Sequence, residues 1–237
     1  MVRHGRVAVV GVVGVLAVLA ACSSNRPLPV VKDDADKAFT ARRYDDAAKD
    51  YGFYLGRKPE DNEVRVRLGQ SQLAAGDPQA AAETLGRALD VDPLNDKIAD
   101  AYAEALFQSG DPHALTEFVN RAASERGRAS DYVRVGTYMQ KIGHPDEAQQ
   151  AFLTAARLDQ GRSFDLQILL AHFYRDLGDR ERYVKRLRNA YFLQPDNPNL
   201  AAEVRAVGEV PGPTFAQAPE EFVAPTTVKR SPGREQK

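Results

Sequence analysis

The chain has 237 residues, 43% of them hydrophobic and 27% charged, with a formal net charge of −1 at pH 7. So even a balance leaves no overall electrostatic footprint for nucleic acid. One cysteine in the whole chain excludes an intramolecular disulfide framework. At the start, Arg3, His4 and Arg6 precede an unbroken apolar run from Val7 to Ala21. That run is short for a membrane-spanning helix and reads, over Met1–Ala21, as a signal peptide. No later stretch reads as a membrane span.

Leu19-Ala20-Ala21-Cys22 resembles the bacterial lipobox. The resemblance implies that Cys22 is diacylated and becomes the mature N-terminus, a covalent lipid being the sole non-protein group expected. Two or three acyl chains suffice for stable anchoring, whereas one gives marginal binding. Residues 22–31 read as the lipidated cysteine and a flexible tether, Ser23–Val31 being polar and proline-containing. Nine residues at roughly 3 Å each hold the first repeat within about 30 Å of the lipid. Ser23 is not the aspartate that retains enterobacterial lipoproteins in the inner membrane. The expectation is a lipid anchor in the outer membrane, facing the periplasm, or on the outer face of the plasma membrane in a monoderm source.

From residue 32 to 208 one pattern recurs. Gly76-Asp77-Pro78 precedes Ala81, Gly110-Asp111-Pro112 precedes Leu115, Gly143 precedes Ala148, and Gly178-Asp179 precedes Tyr183. The glycines are 34, 33 and 35 residues apart. Each comes after an amphipathic stretch such as Tyr132, Val135, Met139 and Ile142, and precedes another such as Ala148, Phe152 and Ala155. Glycine tolerates a left-handed helix end, proline suits a first helical turn, and Asp77, Asp111 and Asp179 stand at N-cap positions. A weaker copy lies upstream, with Arg42 in the glycine's place and Ala47, Tyr51 and Tyr54 on its second helix. Pro59, Pro93 and Pro195 close second helices. A period near 34 with two helices per unit is a repeat array. Gly136 and Ala148 are predicted to meet where the helices of the fourth unit cross.

Leu68-Gly69 with Gly76, Ala81, Leu85, Ala88 and Pro93 resembles the tetratricopeptide repeat. Val135-Gly136, Gly143, Ala148, Phe152 and Ala155 do so too, with Gln160 in place of the closing proline. Leu170-Ala171, Tyr174, Gly178, Leu187, Ala190 and Pro195 form a third good copy, while Asp96–Arg128 is degenerate. The resemblance implies an all-α fold, a right-handed α-solenoid of about five helix-turn-helix repeats. A capping helix over Pro198–Val207 would use Leu200, Ala201 and Val204 to cover its end. Beyond it, residues 209–237 hold five prolines among polar residues and are expected to form a disordered tail. Phe215 or Phe222 would anchor that tail on a partner if it orders. The basic run Arg180–Arg188 reads as a solvated helix face, with anionic lipid or an acidic partner as the alternative.

Catalytic constellations are absent from the pattern. None of His4, His113, His144 and His172 has a second ligand at metal spacing, and no phosphate loop or nucleophile elbow occurs. Neither an enzyme, a metal site nor a small-molecule substrate is expected. The resemblance implies instead a concave groove lined by first helices. Repeat phase assigns to it Val66, Gln70, Leu73, Lys97, Glu104, Phe107, Thr137, Gln140, Ile168, His172 and Arg175. Phe107 is the bulkiest apolar side chain among them. The set departs from the basic-and-asparagine carboxylate clamp of chaperone co-factors: Lys32 suits the clamp, but Asp36 stands where asparagine is wanted.

Lipobox, short spacer and repeats together resemble tetratricopeptide lipoproteins of envelope assembly, those of tight-adherence pili and the type IV pilus pilotins being nearest in layout. The partner implied is an envelope protein, such as a secretin or another pilus or secretion component. Two alternatives stand beside it: a subunit of the outer-membrane β-barrel assembly machinery, and an adaptor recruiting a periplasmic enzyme such as a cell-wall hydrolase.

Overall fold

A computed structural model describes residues 26–222, so Cys22 and the residues read as a signal peptide lie outside the described part. The described residues form eleven α-helices and no strand. The chain divides after Val91 into two compact units. The first holds α1 (Leu28–Thr40), α2 (Tyr44–Leu55), α3 (Asn62–Ala74) and α4 (Pro78–Val91). The second holds α5 (Asp96–Gln108), α6 (Pro112–Arg126), α7 (Ala129–Lys141), α8 (Pro145–Leu158), α9 (Phe164–Asp176), α10 (Arg180–Leu193) and α11 (Pro198–Ala206). The first helix thus starts inside the stretch read as a tether, since Leu28–Val31 are its first turn and Val31 is fully buried.

The hairpins are built as the repeat predicts. The turn glycines at 76, 110, 143 and 178 have φ between +75° and +86°, and Arg42 takes their place at φ +58°. That conformation costs a non-glycine residue energy, so the upstream copy carries strain the others avoid. Asp77, Asp111 and Asp179 cap the second helices, accepting from Ala80 N (3.1 Å), Ala114 N (2.9 Å) and Arg182 N (3.0 Å). Gln160, where a closing proline would stand, has φ +58°, a value the proline ring forbids.

Each hairpin closes on a small residue of the first helix set against a large one of the second. Gly69, Ala103, Gly136 and Ala171 recur at the same 34-, 33- and 35-residue steps as Leu85, Val119, Phe152 and Leu187. A Cβ on Gly69 would fall 2.5 Å from Leu85 Cγ, and one on Gly136 2.4 Å from Phe152 Cε1. The atoms nearest a Cβ at Gly136 are thus those of the Phe152 ring, one turn along α8 from the Ala148 that the sequence suggested. The ring reaches across the crossing while the small Ala148 packs one turn earlier.

In the first unit, Val31, Ala35, Ala38, Ala47, Tyr51, Tyr54 and Val64 form the core. Its tyrosines send their hydroxyls to carboxylates, Tyr51 to Asp36 (2.6 Å) and Tyr54 to Asp61 (3.0 Å). Lys32 pairs with the same Asp36 at 3.1 Å, so both residues weighed as clamp positions are spent on each other and on Tyr51.

The capping helix is present. Leu200 and Val204 are buried, and Glu203 accepts from Tyr183 (2.7 Å) and lies 3.0 Å from His172 Nε2. Burial and this carboxylate push the Tyr183 hydroxyl up to about 12.

Beyond residue 208 the structure departs from the expected disordered tail. Residues 209–222 run back along α10 and pack on it. Phe215 is 3% exposed, edge-on to Tyr191 and under the Arg188 guanidinium. Arg186 grips Glu221 through two nitrogens, at 2.9 and 3.2 Å, while Lys185 meets Glu220 at 2.5 Å. The basic run is accordingly not a bare solvated face: its acidic partners come from the same chain. Residues 223–237 of the expected tail lie outside the described part.

Candidate concave binding site

Of the residues assigned to a groove, Val66, Gln70 and Leu73 stand on α3 of the first unit, none of them buried. In the second unit Lys97, Glu104 and Phe107 lie on α5, Thr137 and Gln140 on α7, and Ile168, His172 and Arg175 on α9. There the first helices enclose a cleft of about 530 Å³. Its floor is apolar, from Val133 on α7 and Leu166 and Leu169 on α9. Its rim is acidic, with Asp100 from α5, Asp159 from the turn after α8 and Asp165 from α9. Ser163 shapes that end by capping α9 through Leu166 N (3.2 Å).

Thr137 is among the residues lining the cleft. On α9 the lining residues are Asp165, Leu166 and Leu169, displaced by about one position from Ile168. His172 faces α11 through Glu203, and Arg175 pairs with Asp176 at the exposed helix end.

The wall between α5 and α7 is a polar network. Asp131 is fully buried at the start of α7 and lies 2.9 Å from nitrogens of Arg126, Arg128 and Arg134. Burial alone would raise its pKa; hydrogen bonds from Arg128 and Arg134 outweigh that and hold it below the ordinary carboxylate value. Arg134, its side chain 2% exposed, also donates to Asp100 (2.7 Å) and Asp96 (3.2 Å). All three of its nitrogens are thereby engaged. Arg134 also lines the cleft, with its charge paired to Asp131, Asp100 and Asp96.

One turn further along, Glu104 accepts from Lys141 (2.7 Å), Gln108 (2.8 Å) and Tyr138 (3.1 Å). Burial acts against it, but these donors keep its carboxyl below the usual range. Phe107 leans on Tyr138, ring centroids 6.0 Å apart, and the Lys141 ammonium lies 4.9 and 4.8 Å from the two centroids. Phe107 is thus a half-buried element of the wall between α5 and α7.

Tyr138, Arg134 and Asp131 are the residues that sequence reasoning missed. The signal for Tyr138 was present: it lies 34 residues after Glu104 and 34 before His172. Counting from the turn glycines, whose interval is 33 there, selects Thr137 instead. Asp131 and Arg134, three apart on one helix, have the spacing of a side-chain ion pair.

Known proteins share this architecture. The family model described as tetratricopeptide repeat matches residues 33–93 and again 66–127. Among solved structures, the MamA protein matches with a TM-score of 0.53 and 20% identity, over 76% of this chain and 94% of that one. A thermophilic tetratricopeptide-repeat protein of Thermus thermophilus matches at 0.50 and 18%, over 76% and 98%. A second MamA structure matches at 0.50 and 23%, over 66% and 91%. No curated protein matches in sequence. The fold is all-α, an array of tetratricopeptide-type helical hairpins.

Proposed function

We propose that the protein is a lipid-anchored scaffold that captures an extended segment of a protein partner in the cleft of α5, α7 and α9. It would act in assembly of a pilus or secretion apparatus at the periplasmic face of the outer membrane. The observation that carries the capture is the cleft itself, an apolar floor of Val133, Leu166 and Leu169 beside the carboxylates of Asp100, Asp159 and Asp165. A cleft of this size and lining takes an apolar side chain flanked by a basic group. The envelope setting is supported by the lipobox around Cys22 and by the short spacer after it.

The scaffold reading is tested by Leu169→Asp, which puts a charge into the floor. Partner capture by the full-length protein should weaken about ten- to a hundred-fold, as for loss of an interface anchor. Gln150→Ala, on the exposed side of α8, should leave capture unchanged.

The anchor is tested separately. Cys22→Ser should leave the precursor unprocessed or release the protein from the membrane fraction, with no incorporation of labelled fatty acid. Fractionation and labelling like wild type would refute the lipid anchor and leave the cleft reading standing.

A further inference from the structure

The segment 209–222 lies on α10 as a bound peptide lies on a receptor. Its main chain is held at Gln217, whose N–H donates to Arg188 O (3.2 Å) and whose carbonyl accepts from Asn189 Nδ2 (3.0 Å). Its side chains fill sites in order: Phe215 against Tyr191, Glu220 on Lys185, Glu221 on Arg186, Phe222 edge-on to Phe192. Pro219 is buried against Gly161, where a Cβ would come within 2.8 Å of it. The receptor side is preorganised, since Arg186 is also held by Gln167 Oε1 at 3.0 Å.

This occupant fits incompletely. Gln167 Nε2, Arg188 Nε and Asn189 Oδ1 are buried and make no hydrogen bond to the strap or to any other group among the described residues, and Gln167 and Asn189 are 0% and 1% exposed. An open cavity of about 580 Å³ remains beside the strap, lined by Arg180, Glu181, Val184, Lys185 and Arg188 of α10 and by Glu209 and Gln217 of the strap itself. Buried polar groups left unpaired are costly, so a segment that supplied partners to them would gain over the strap.

We propose that the face of α10, with α9 and the turn at Gly161, is a second peptide-binding site, separate from the α5–α7–α9 cleft. Its ligand class is an extended segment with a buried aromatic residue followed by an acidic pair and a second aromatic. Residues 209–222 hold the site in cis until a partner segment of that chemistry displaces them. Because the strap is tethered, it competes at an effective concentration of order millimolar, so a free segment meets a largely filled site.

The probe is a fluorescein-labelled peptide of residues 208–222, added to the full chain and followed by fluorescence polarisation. In wild type the strap should hold binding weak. In the full chain carrying Glu220→Gln and Glu221→Gln the strap is loosened, and the peptide, which keeps both carboxylates, should bind at least ten-fold tighter. Phe215→Ala should do the same by a different contact. Adding Lys185→Glu to either should abolish the gain while helix content stays constant. The proposal is overturned if neither loosened variant binds the peptide more tightly than wild type, or if a scrambled peptide binds equally. Unfolding of both variants would make the strap an integral part of the core and would overturn it as well.

Discussion

Asp131→Asn is expected to destabilise the second unit by about 3 kcal/mol, the low end of what breaking a buried ion pair costs. Asp131 is fully buried, and its loss leaves Arg134, 2% exposed in its side chain, and Arg126, 13% exposed, with surplus charge. Arg134 keeps Asp96 and Asp100, which is why the low end applies. At about 2–4 °C per kcal/mol for a unit of this size, the melting temperature should fall by roughly 6–12 °C. The pH dependence follows from the depressed carboxyl. Its stabilisation is present above the ordinary carboxyl value of 3.8 and is lost as pH falls through the lower value in the folded chain. The variant should therefore show a shallower loss of stability than wild type below about pH 4. Lys37→Ala, which removes an exposed ion pair with Asp33, should change almost nothing. Equal melting of wild type and Asp131→Asn would show that the network contributes no stability.

Gly136→Leu should cost about 3 kcal/mol, the top of the usual range for overpacking a close-packed crossing. An added Cβ would fall 2.4, 2.5 and 2.8 Å from three ring carbons of Phe152. That ring is fully buried and backed by Phe173 at 5.4 Å, so it has no room to retreat. The diagnostic is the double variant with Phe152→Ala, where the new leucine occupies space the ring vacated. Thermal melts should show the pair to be less destabilised than the sum of the singles. Simple additivity would contradict the contact.

The hairpins were legible because a tight helical turn constrains few residue types. Four glycines in phase and three capping aspartates locate every second helix after the first, and the small-to-large pairing comes from the same steps. Even Arg42, the exception, kept its place in the pattern. The facing partner of Gly136 was less legible, because Ala148 and Phe152 stand one turn apart on the same stripe of α8. The network around Asp131 was hidden because a string of charges on first helices reads as solvated until neighbouring helices are brought together. Arg134 finds Asp100 and Asp96 across 34 and 38 residues. The strap was hidden for a compositional reason. Proline-rich, polar sequence cannot form its own core, but residues 209–222 need only two aromatics and three carboxylates to dock on a core already built. The basic run on α10 was half of that signal, and Glu209, Glu220 and Glu221 were the other half.

Whether the cleft of α5, α7 and α9 is the working surface can be read by photo-crosslinking in the full-length protein in its own cells. A crosslinking side chain is placed at Thr137, inside the cleft, or at Gln150, outside it, and products are compared with and without Leu169→Asp. The expected result is a discrete protein adduct from Thr137 that Leu169→Asp removes. Adducts from Gln150 alone, or a Thr137 adduct indifferent to Leu169→Asp, would contradict a working cleft.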